Sequence, residues 1–244
     1  MYLKKVSYKR QQIPDSSIYP FNIPWLENFQ CLEFPSNVTF FVGENGTGKS
    51  TLLEAIADQC EFNTAGGGRN SYFEVDQAES ALGEYIRLSW SPKVTKGFFL
   101  RAETFYHYAS YIDALEDIPS RKYAAYGGKS LHHQSHGESF LSLFNNSFGG
   151  KAIYLLDEPE ASLSPVRQLS LMKIIKDLEN TAQFIIATHS PILLGYPNAT
   201  IYSFDNDEIE TIRYEETIHY ILTKRFLQAP DFVLKELFQE DEDL

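Results

Sequence analysis

The stretch from Gly43 to Ser50 carries the strongest chemical signal in the sequence, because it reads GENGTGKS. Glycines let the backbone curl so that several N–H groups point to one centre, and a helix that follows adds its positive end there. An ammonium group and a hydroxyl in the same turn suit phosphate oxygens and a divalent cation. The spacing G-x-x-x-x-G-K-S is that of the P-loop and predicts a nucleotide site.

The candidate nucleotide-binding residues are those of this turn and the threonine after it. They are Gly43, Glu44, Asn45, Gly46, Thr47, Gly48, Lys49, Ser50 and Thr51. Lys49 is expected to lie between the β- and γ-phosphates, and Ser50 is expected to offer its hydroxyl to Mg²⁺. The apolar run at 38–42 predicts a buried strand and the run at 51–57 predicts a helix. An ordinary glycine-rich turn between a strand and a helix is the alternative interpretation.

Two adjacent carboxylates, Asp157 and Glu158, follow the apolar run at 153–156. At the carboxyl end of a parallel strand they would face the ligand crevice. In a P-loop fold, Asp157 is placed to hold Mg²⁺ directly or through water, and Glu158 to polarise the attacking water. The alternative is a solvated turn, but an acid pair at the end of so apolar a strand is costly without a nearby cation.

A histidine follows the next apolar run, in the sequence ATHSP. At that strand end His189 is able to donate a hydrogen bond to the γ-phosphate or to the attacking water. A histidine before Ser-Pro would otherwise be read as a turn residue. Its position after the Asp157–Glu158 pair, on a neighbouring predicted strand, favours the functional interpretation.

Ser135 and Glu138 predict a capping box at the start of a helix. The same helix N-terminus is suited to a phosphate bound by a second chain, and the two interpretations are compatible. The histidines at 132, 133 and 136 also raise the question of a metal site. No cysteine or further carboxylate spacing supports a closed site of that kind.

Composition limits the class of protein. The chain has 244 residues, is 43% hydrophobic and has a formal net charge of −12, which supplies a core but does not favour a generic nucleic-acid binder. The acidic run at 240–244 predicts a solvated tail. Lys4, Lys5, Lys9 and Arg10 predict a lysine-guarded edge strand, with a local basic patch for nucleic acid as the alternative.

The cysteines and the apolar runs indicate the cellular setting. Cys31 and Cys60 are too few for a disulfide framework, and their apolar neighbours predict buried thiols. No apolar run approaches the ~20 residues of a membrane span, and the N-terminal residues do not read as a signal region. We therefore expect no membrane span and a cytoplasmic location.

Strands that alternate with helices after the P-loop predict an α/β domain with a mostly parallel sheet. The aromatic stripe at 103–126 is expected to be core. Beyond the P-loop, the predicted elements are a hairpin of 84–91 with 97–101, a helix from 135 to 149, strands at 152–156 and 184–187, a helix at 163–178, a hairpin of 200–204 with 208–214, and helices at 215–227 and 230–239.

Taken in order, the motifs GENGTGKST, SHGESF, YLLDEPEASLSP and ATHSP resemble the nucleotide-binding core of ATP-binding-cassette (ABC) ATPases. They resemble most the SMC-like branch of predicted ATPases, also called AAA-21-like, over about residues 20–204. The resemblance implies an ABC-ATPase head of the α/β, P-loop NTPase class, with a mostly parallel central sheet, an antiparallel β region and a helical signature subdomain. It implies one domain over 1–244, with the signature on an antiparallel and helical insertion at about 81–150.

The resemblance also assigns roles to residues. Gly43–Thr51 is Walker A, Asp157 and Glu158 are Walker B with the catalytic glutamate, and His189 is the switch histidine. The signature positions are Ser135, Gly137 and Glu138, with His136 in place of a usual glycine, and the D-loop is Ala161 to Ser164.

A metal contact is assigned on the same basis. No Q-loop glutamine is evident, and Glu103, which follows a predicted strand, would replace it as a Mg²⁺ or water contact. The implied Mg²⁺ ligands are Ser50, Asp157 and Glu103.

The activity implied by the resemblance is Mg²⁺-dependent hydrolysis of ATP to ADP and phosphate, with ATP held between two subunits of a head-to-tail homodimer. About 80 residues separate Thr51 from Ser135, too few for the long coiled coils of SMC proteins. The role left open is a switch in nucleic-acid transactions or defence, with a separately encoded effector, or the nucleotide-binding subunit of an ABC transporter. A phosphoryl transferase is a third class, which Glu158 disfavours because it suits water as the acceptor.

Overall fold

The computed structural model describes residues 1–13, 15–69, 71, 81–116 and 122–238. Its strands are β1 (Leu3–Tyr8), β2 (Cys31–Glu33), β3 (Val38–Val42), β4 (Ile86–Trp90), β5 (Lys96–Arg101), β6 (Ala152–Asp157), β7 (Ala182–Ala187), β8 (Thr200–Ser203) and β9 (Glu210–Ile212). Its helices are α1 (Lys49–Gln59), α2 (Phe105–Ala114), α3 (His136–Ser147), α4 (Pro165–Leu178), α5 (Pro191–Leu194), α6 (Ile218–Gln228) and α7 (Pro230–Phe238).

The larger sheet has the strand order β5-β6-β7-β3-β8-β9. Its neighbouring strands run parallel except for the antiparallel pair of β8 with β9, which is the predicted closing hairpin. Every residue of β3, β6 and β7 is buried. Continuous burial is typical of parallel strands covered on both faces, and it confirms the predicted α/β class with a mostly parallel sheet.

Two groups of elements cover the faces of this sheet. On one face pack α1 and a smaller antiparallel sheet of order β2-β1-β4. On the other face pack α2, α3 and α4, including the aromatic residues Phe105 and Tyr108 of the predicted stripe. Adjacent residues of β3 serve opposite faces, because Phe40 belongs to the second core and Phe41 to the first.

Strand register brings the carboxyl ends of four strands to one edge. Arg101 at the end of β5 is paired with Asp157 of β6, and Asp157 is paired with Ala187 of β7. Ala187 is paired in turn with Phe41 of β3. The residues that follow β3, β6 and β7 therefore emerge side by side, which is where ligands bind in open parallel sheets.

The predicted hairpin of 84–91 with 97–101 is wrong. β4 pairs with β1 in the antiparallel sheet, and β5 pairs with β6 in the parallel sheet. The burial of each strand gives the reason. β4 alternates between less and more exposed residues, whereas Phe98, Phe99 and Leu100 of β5 are all buried, as expected for a strand of a sheet that is covered on both faces.

Two smaller predictions about the N-terminal region are also wrong. β1 is not an edge strand, because it lies between β2 and β4; Lys5 instead lies 3.7 Å from Glu33 on the neighbouring strand. Cys31 is exposed, whereas Cys60 is buried as predicted. Alternation along β2 turns Leu32 inward and Cys31 outward, so apolar neighbours in sequence did not imply burial.

The final two helices, predicted at 215–227 and 230–239, are α6 and α7. Neither buries a residue, and Leu222, Leu227 and Phe232 are more than half exposed. The predicted acidic tail at 240–244 lies outside the described residues. Among the helices of the described ranges, none combines the length and apolar character needed to cross a bilayer.

Candidate nucleotide-binding and hydrolysis site

The turn after β3 has the backbone of a phosphate-binding loop. Gly43, Gly46 and Gly48 have φ angles of 147°, 81° and 90°, a region that side chains disfavour. A Cβ on Gly48 would also lie 3.0 Å from Trp25 Nε1 and 3.1 Å from the Ile23 side chain. Glycine is thus required at Gly48 by conformation and by space, and it sets the start of α1.

Lys49 turns back into this loop. Its Nζ donates hydrogen bonds to the carbonyl oxygens of Gly43 at 2.6 Å and Glu44 at 2.7 Å, and its side chain is almost fully buried. Burial lowers the pKa of Lys49, and the carboxylates of Glu158 and Asp157 oppose this effect. The loop therefore already holds a desolvated cation that gains from an anion placed beside it.

Ser50 and Asp157 form the second part of the site, with the Ser50 hydroxyl donating to Asp157 Oδ1 at 2.9 Å. Burial raises the pKa of Asp157 to about 7, although the Ser50 hydrogen bond and Arg101 act in the opposite direction. Arg101 Nε lies 3.8 Å from Asp157 Oδ2. A hydroxyl and a buried carboxylate are oxygen ligands of the kind that Mg²⁺ uses, so these residues fit the implied ion.

Glu158 lies beside Ser50 and Asp157, but its side chain is much more exposed than that of Asp157. Its backbone is left-handed, with φ of 49°, and its N–H donates to the carbonyl of Ala187 at 2.9 Å. Its side chain is 43% exposed, whereas that of Asp157 is 8% exposed. The turn therefore separates the two adjacent carboxylates into a buried group next to Ser50 and an open one that water is able to reach.

His189 meets Glu158 across the same edge. The two side chains approach to 3.7 Å between His189 Nε2 and Glu158 Oε1. The backbone N–H of His189 donates to Glu160 Oε1 at 2.6 Å, which holds the backbone at this position. We call the five residues Lys49, Ser50, Asp157, Glu158 and His189 the P-loop cluster.

The predicted signature residues form a second group, outside the P-loop cluster. Glu138 Oε2 accepts from the Ser135 N–H at 3.0 Å and from the Ser135 hydroxyl at 2.7 Å, so the glutamate side of the predicted capping box is present. Arg167 of α4 donates to Ser135 Oγ at 3.3 Å and lies 3.6 Å from Glu138 Oε1. A Cβ on Gly137 would meet Arg167 Nη1 at 2.2 Å. Ser135, Gly137, Glu138 and Arg167 are called the signature cluster.

Glu103 was predicted as the third Mg²⁺ contact, but among the described residues its carboxylate pairs with Arg101. Its carboxylate is 72% exposed and pairs with Arg101 Nη2 at 3.3 Å. It is Arg101, two residues earlier, that approaches Asp157. Of the histidines considered for a metal site, His132 instead approaches the Ser110 hydroxyl at 3.0 Å. Assignment of Glu103 to the metal stays a prediction.

Several residues at the site were not identified from the sequence. The Trp25 indole donates to the carbonyl of Thr47 at 2.7 Å, and the exposed Tyr19 hydroxyl lies 2.8 Å from Thr51 Oγ1. In the sequence, Tyr19 precedes Pro20 and Trp25 follows Pro24, and neither belongs to a motif that marks a nucleotide site.

On the opposite flank, Asp205 Oδ1 accepts from the Glu44 N–H at 2.7 Å. His219 lies 3.0 Å from His189. Asp205 was predicted only as a turn residue, and no local pattern marks His219.

Comparison with known proteins agrees with this arrangement. A family model described as "AAA domain, putative AbiEii toxin, Type IV TA system" matches residues 132–195, and a model described as "AAA domain" matches residues 18–102. The first segment contains the predicted signature residues, the Asp157–Glu158 pair and His189, and the second contains Gly43–Ser50. No curated protein matches the chain.

Solved structures similar to this chain include ABC and SMC domains. One is an ATP-binding cassette of an ABC transporter in its ADP conformation, with 18% identity, 86% of this chain and 92% of that chain covered, and a TM-score of 0.46. CbiO1 from Clostridium perfringens, part of the ABC transporter complex cbiONQ, has 18% identity, coverage of 85% and 91%, and a TM-score of 0.44. The SMC head domain from Thermotoga maritima has 16% identity, coverage of 87% and 99%, and a TM-score of 0.43.

The class of protein follows from the motifs, the topology and the family models together. The P-loop follows the central parallel strand β3, and the acid pair ends β6, which is separated from β3 by β7. The two AAA models match the segments that carry these residues. These findings support a P-loop domain similar to those that the two AAA models describe.

Proposed function

We propose that this protein binds ATP with Mg²⁺ and hydrolyses it to ADP and phosphate. The observation that carries the proposal is the P-loop cluster, in which a desolvated lysine, a serine hydroxyl and a buried carboxylate meet beside an open glutamate. When bound, Mg²⁺ would be held by Ser50 and Asp157 and would neutralise charge on the phosphate oxygens.

The chemical roles follow from what each side chain is able to reach. The loop N–H groups and Lys49 bind the β- and γ-phosphates, which replaces the contacts of Lys49 with loop carbonyls. Glu158 accepts a proton from the attacking water. As this happens, the water oxygen bonds to the γ-phosphorus, and the bond between the γ-phosphorus and the β–γ bridging oxygen breaks. His189, next to Glu158, donates a hydrogen bond to a γ-phosphate oxygen as charge builds there.

A second copy of the chain would complete the site in this proposal. Glu158 is 43% exposed, so one side of the cluster is open. The signature cluster presents the N-terminus of α3, which is a favourable place for a phosphate. We propose that the signature of one subunit covers the P-loop of the other in an ATP-dependent head-to-tail homodimer.

Replacement of Glu158 tests the proposed hydrolysis. Glu158→Gln keeps the size and removes the proton acceptor, so we expect MgATP binding to persist while kcat falls at least about 100-fold. ATP should then shift the variant to a dimer, measured by size-exclusion chromatography with light scattering. Glu84→Gln, an exposed glutamate beside β4, is the matched control and should retain normal turnover. Normal phosphate release by Glu158→Gln would contradict the role of Glu158.

The role of the hydrolysis cycle is a separate proposal. The matched family model names a toxin of a type IV toxin–antitoxin system, which supports a switch linked to defence or to nucleic-acid transactions with an effector partner. Free thiols at Cys31 and Cys60 agree with the predicted cytoplasmic location. Stimulation of ATP hydrolysis by DNA would support the switch, whereas co-purification with a membrane protein would support the transporter subunit.

A further inference from the structure

His219 is a second histidine at the edge of the P-loop cluster. It lies in the first turn of α6, 30 residues after His189 in sequence, and its Nε2 is 3.0 Å from His189 Nδ1. The two ring centroids are 5.1 Å apart and the rings are inclined by 61°. This geometry is that of a hydrogen bond between the rings, in which one nitrogen donates and the other accepts.

Hydrogen bonds join the start of α6 to the segment that follows His189. Thr217, the N-cap residue, is fully buried and its hydroxyl donates to the carbonyl of Tyr214 at 2.8 Å. The Tyr214 hydroxyl donates in turn to the carbonyl of Pro191 at 2.8 Å. Since Pro191 is two residues after His189, these bonds hold the start of α6, and with it His219, close to His189.

Each ring has one nitrogen that takes no part in the hydrogen bond between the two histidines. His189 Nε2 and His219 Nδ1 are buried, and neither has a hydrogen-bond partner among the described residues. The two atoms differ in their surroundings, because His189 Nε2 lies 3.7 Å from the Glu158 carboxylate. A lone pair on His189 Nε2 would face that negative charge, whereas an N–H there is attracted to it.

With both rings neutral, one assignment of protons satisfies these contacts. A proton on His189 Nε2 leaves Nδ1 of the neutral ring as an acceptor, and His219 Nε2–H then supplies the hydrogen bond. The opposite assignment would place the His189 proton on Nδ1 and aim a bare Nε2 at Glu158. The first assignment also leaves His189 with the N–H that a γ-phosphate oxygen needs.

We propose that His219 is a positioning residue that holds His189 in the tautomer protonated on Nε2, by donating a hydrogen bond from its own Nε2 to His189 Nδ1. The proposal rests on the proposed function, in which His189 donates to the γ-phosphate. His219 does not touch the nucleotide in this account and acts only through His189. In many catalytic and metal-bound histidines a hydrogen bond at one ring nitrogen sets the tautomer, and here a second histidine ring would supply that bond.

The charge state of His219 agrees with this role. Burial lowers the pKa of His219, and the neighbouring His189 lowers it further, while Asp205 and Glu44 act in the opposite direction and Lys49 adds to the lowering. The net change is downward from an ordinary value near 6.5, so His219 is neutral at neutral pH. A neutral ring has a single N–H, and the assigned hydrogen bond uses it.

Three substitutions of His219 test the proposal in the full-length chain. His219→Leu removes the donor, and kcat for ATP should fall about tenfold or more with KM changed less than about twofold, because ground-state contacts to ATP remain. His219→Gln places an amide N–H near the position of Nε2 and should restore most of kcat. His219→Asn, whose amide lies nearer the position of Nδ1, should not. His107→Leu and His107→Gln, at an exposed site on α2, are matched controls that should retain normal turnover.

A spectroscopic measurement separates this proposal from the proposed function. In the nucleotide-free, ¹⁵N-histidine-labelled protein, long-range ¹H–¹⁵N spectra should show His189 protonated on Nε2 in the wild-type chain and in His219→Gln. In His219→Leu they should show a mixture of tautomers. Unchanged His189 signals, or a normal kcat in His219→Leu, would overturn the proposal. A wild-type chain that does not hydrolyse ATP would instead overturn the proposed function, and the spectra would still decide the role of His219.

Discussion

The P-loop cluster and the signature cluster are built in opposite ways. The first joins side chains from the ends of two parallel strands, β6 and β7, and from the start of α1, far apart in sequence. It buries charged groups next to one another and leaves His189 Nε2 without a described partner. The second joins neighbouring residues of one helix start with Arg167, and its polar groups bond to one another.

This difference indicates which cluster needs a ligand. The buried Lys49 and Asp157 both lose hydration, and a bound Mg–triphosphate would supply the charges that each of them lacks. The signature cluster is already satisfied as a helix cap. We therefore expect changes at the buried Lys49 and Asp157 to alter nucleotide affinity, and changes in the signature cluster to alter turnover alone.

The larger expected effect is at the signature cluster. Ser135→Arg adds bulk and charge beside Arg167 at the N-terminus of α3, so a second subunit could not close over the nucleotide. We expect phosphate release to fall at least about 100-fold, as for loss of a transition-state contact, with the Kd for MgATP unchanged within about threefold.

The same substitution at a distant surface is the control for Ser135→Arg. Ser89→Arg, on the exposed side of β4, should change neither turnover nor affinity. If Ser135→Arg loses affinity to the same extent as rate, the signature cluster belongs to the nucleotide site of its own chain and the distinction between the clusters fails.

A smaller effect, the difference in thiol labelling between the two cysteines, reports on the packing of α1. Cys60 caps the carboxyl end of α1, and burial raises its pKa to about 12, whereas Cys31 is exposed. A thiol-reactive dye at pH 8 should therefore label one cysteine in the folded chain and two in denaturant, because only the thiolate reacts.

Cys31→Ser provides the control, since it should abolish labelling of the folded chain. The pattern should be identical in all the variants described above, which would show that α1 stays packed in each of them. Equal labelling rates at both cysteines in the folded wild-type chain would contradict the burial of Cys60.

Local patterns in the sequence predicted much of the P-loop cluster. The glycine-rich turn after a buried strand and the acid pair at a strand end each consist of residues that are adjacent in sequence. Because the strands are parallel, these motifs place Ser50, Asp157 and Glu158 at the same edge of the sheet. The start of α3 at Ser135 was predictable for the same reason, because a helix cap uses residues three apart.

Contacts between distant segments could not be predicted in this way. The pairing of β4 with β1 and of β5 with β6 depends on which strands share a core, and a short turn between them resembled a hairpin. His219 and Arg167 lie on helices whose surface patterns are ordinary. Their roles depend on the neighbours that the fold provides, which a single sequence does not specify.

Calorimetric titration with MgATP is the decisive measurement, because each proposed role requires that the Gly43–Ser50 turn binds a triphosphate. The wild-type chain should bind one MgATP per subunit. Lys49→Ala, which removes the ammonium group inside the loop, should lose at least about 100-fold in affinity, as expected for a desolvated charge contact. Absence of binding heat with the folded wild-type chain, or equal affinities in the two proteins, would contradict the account.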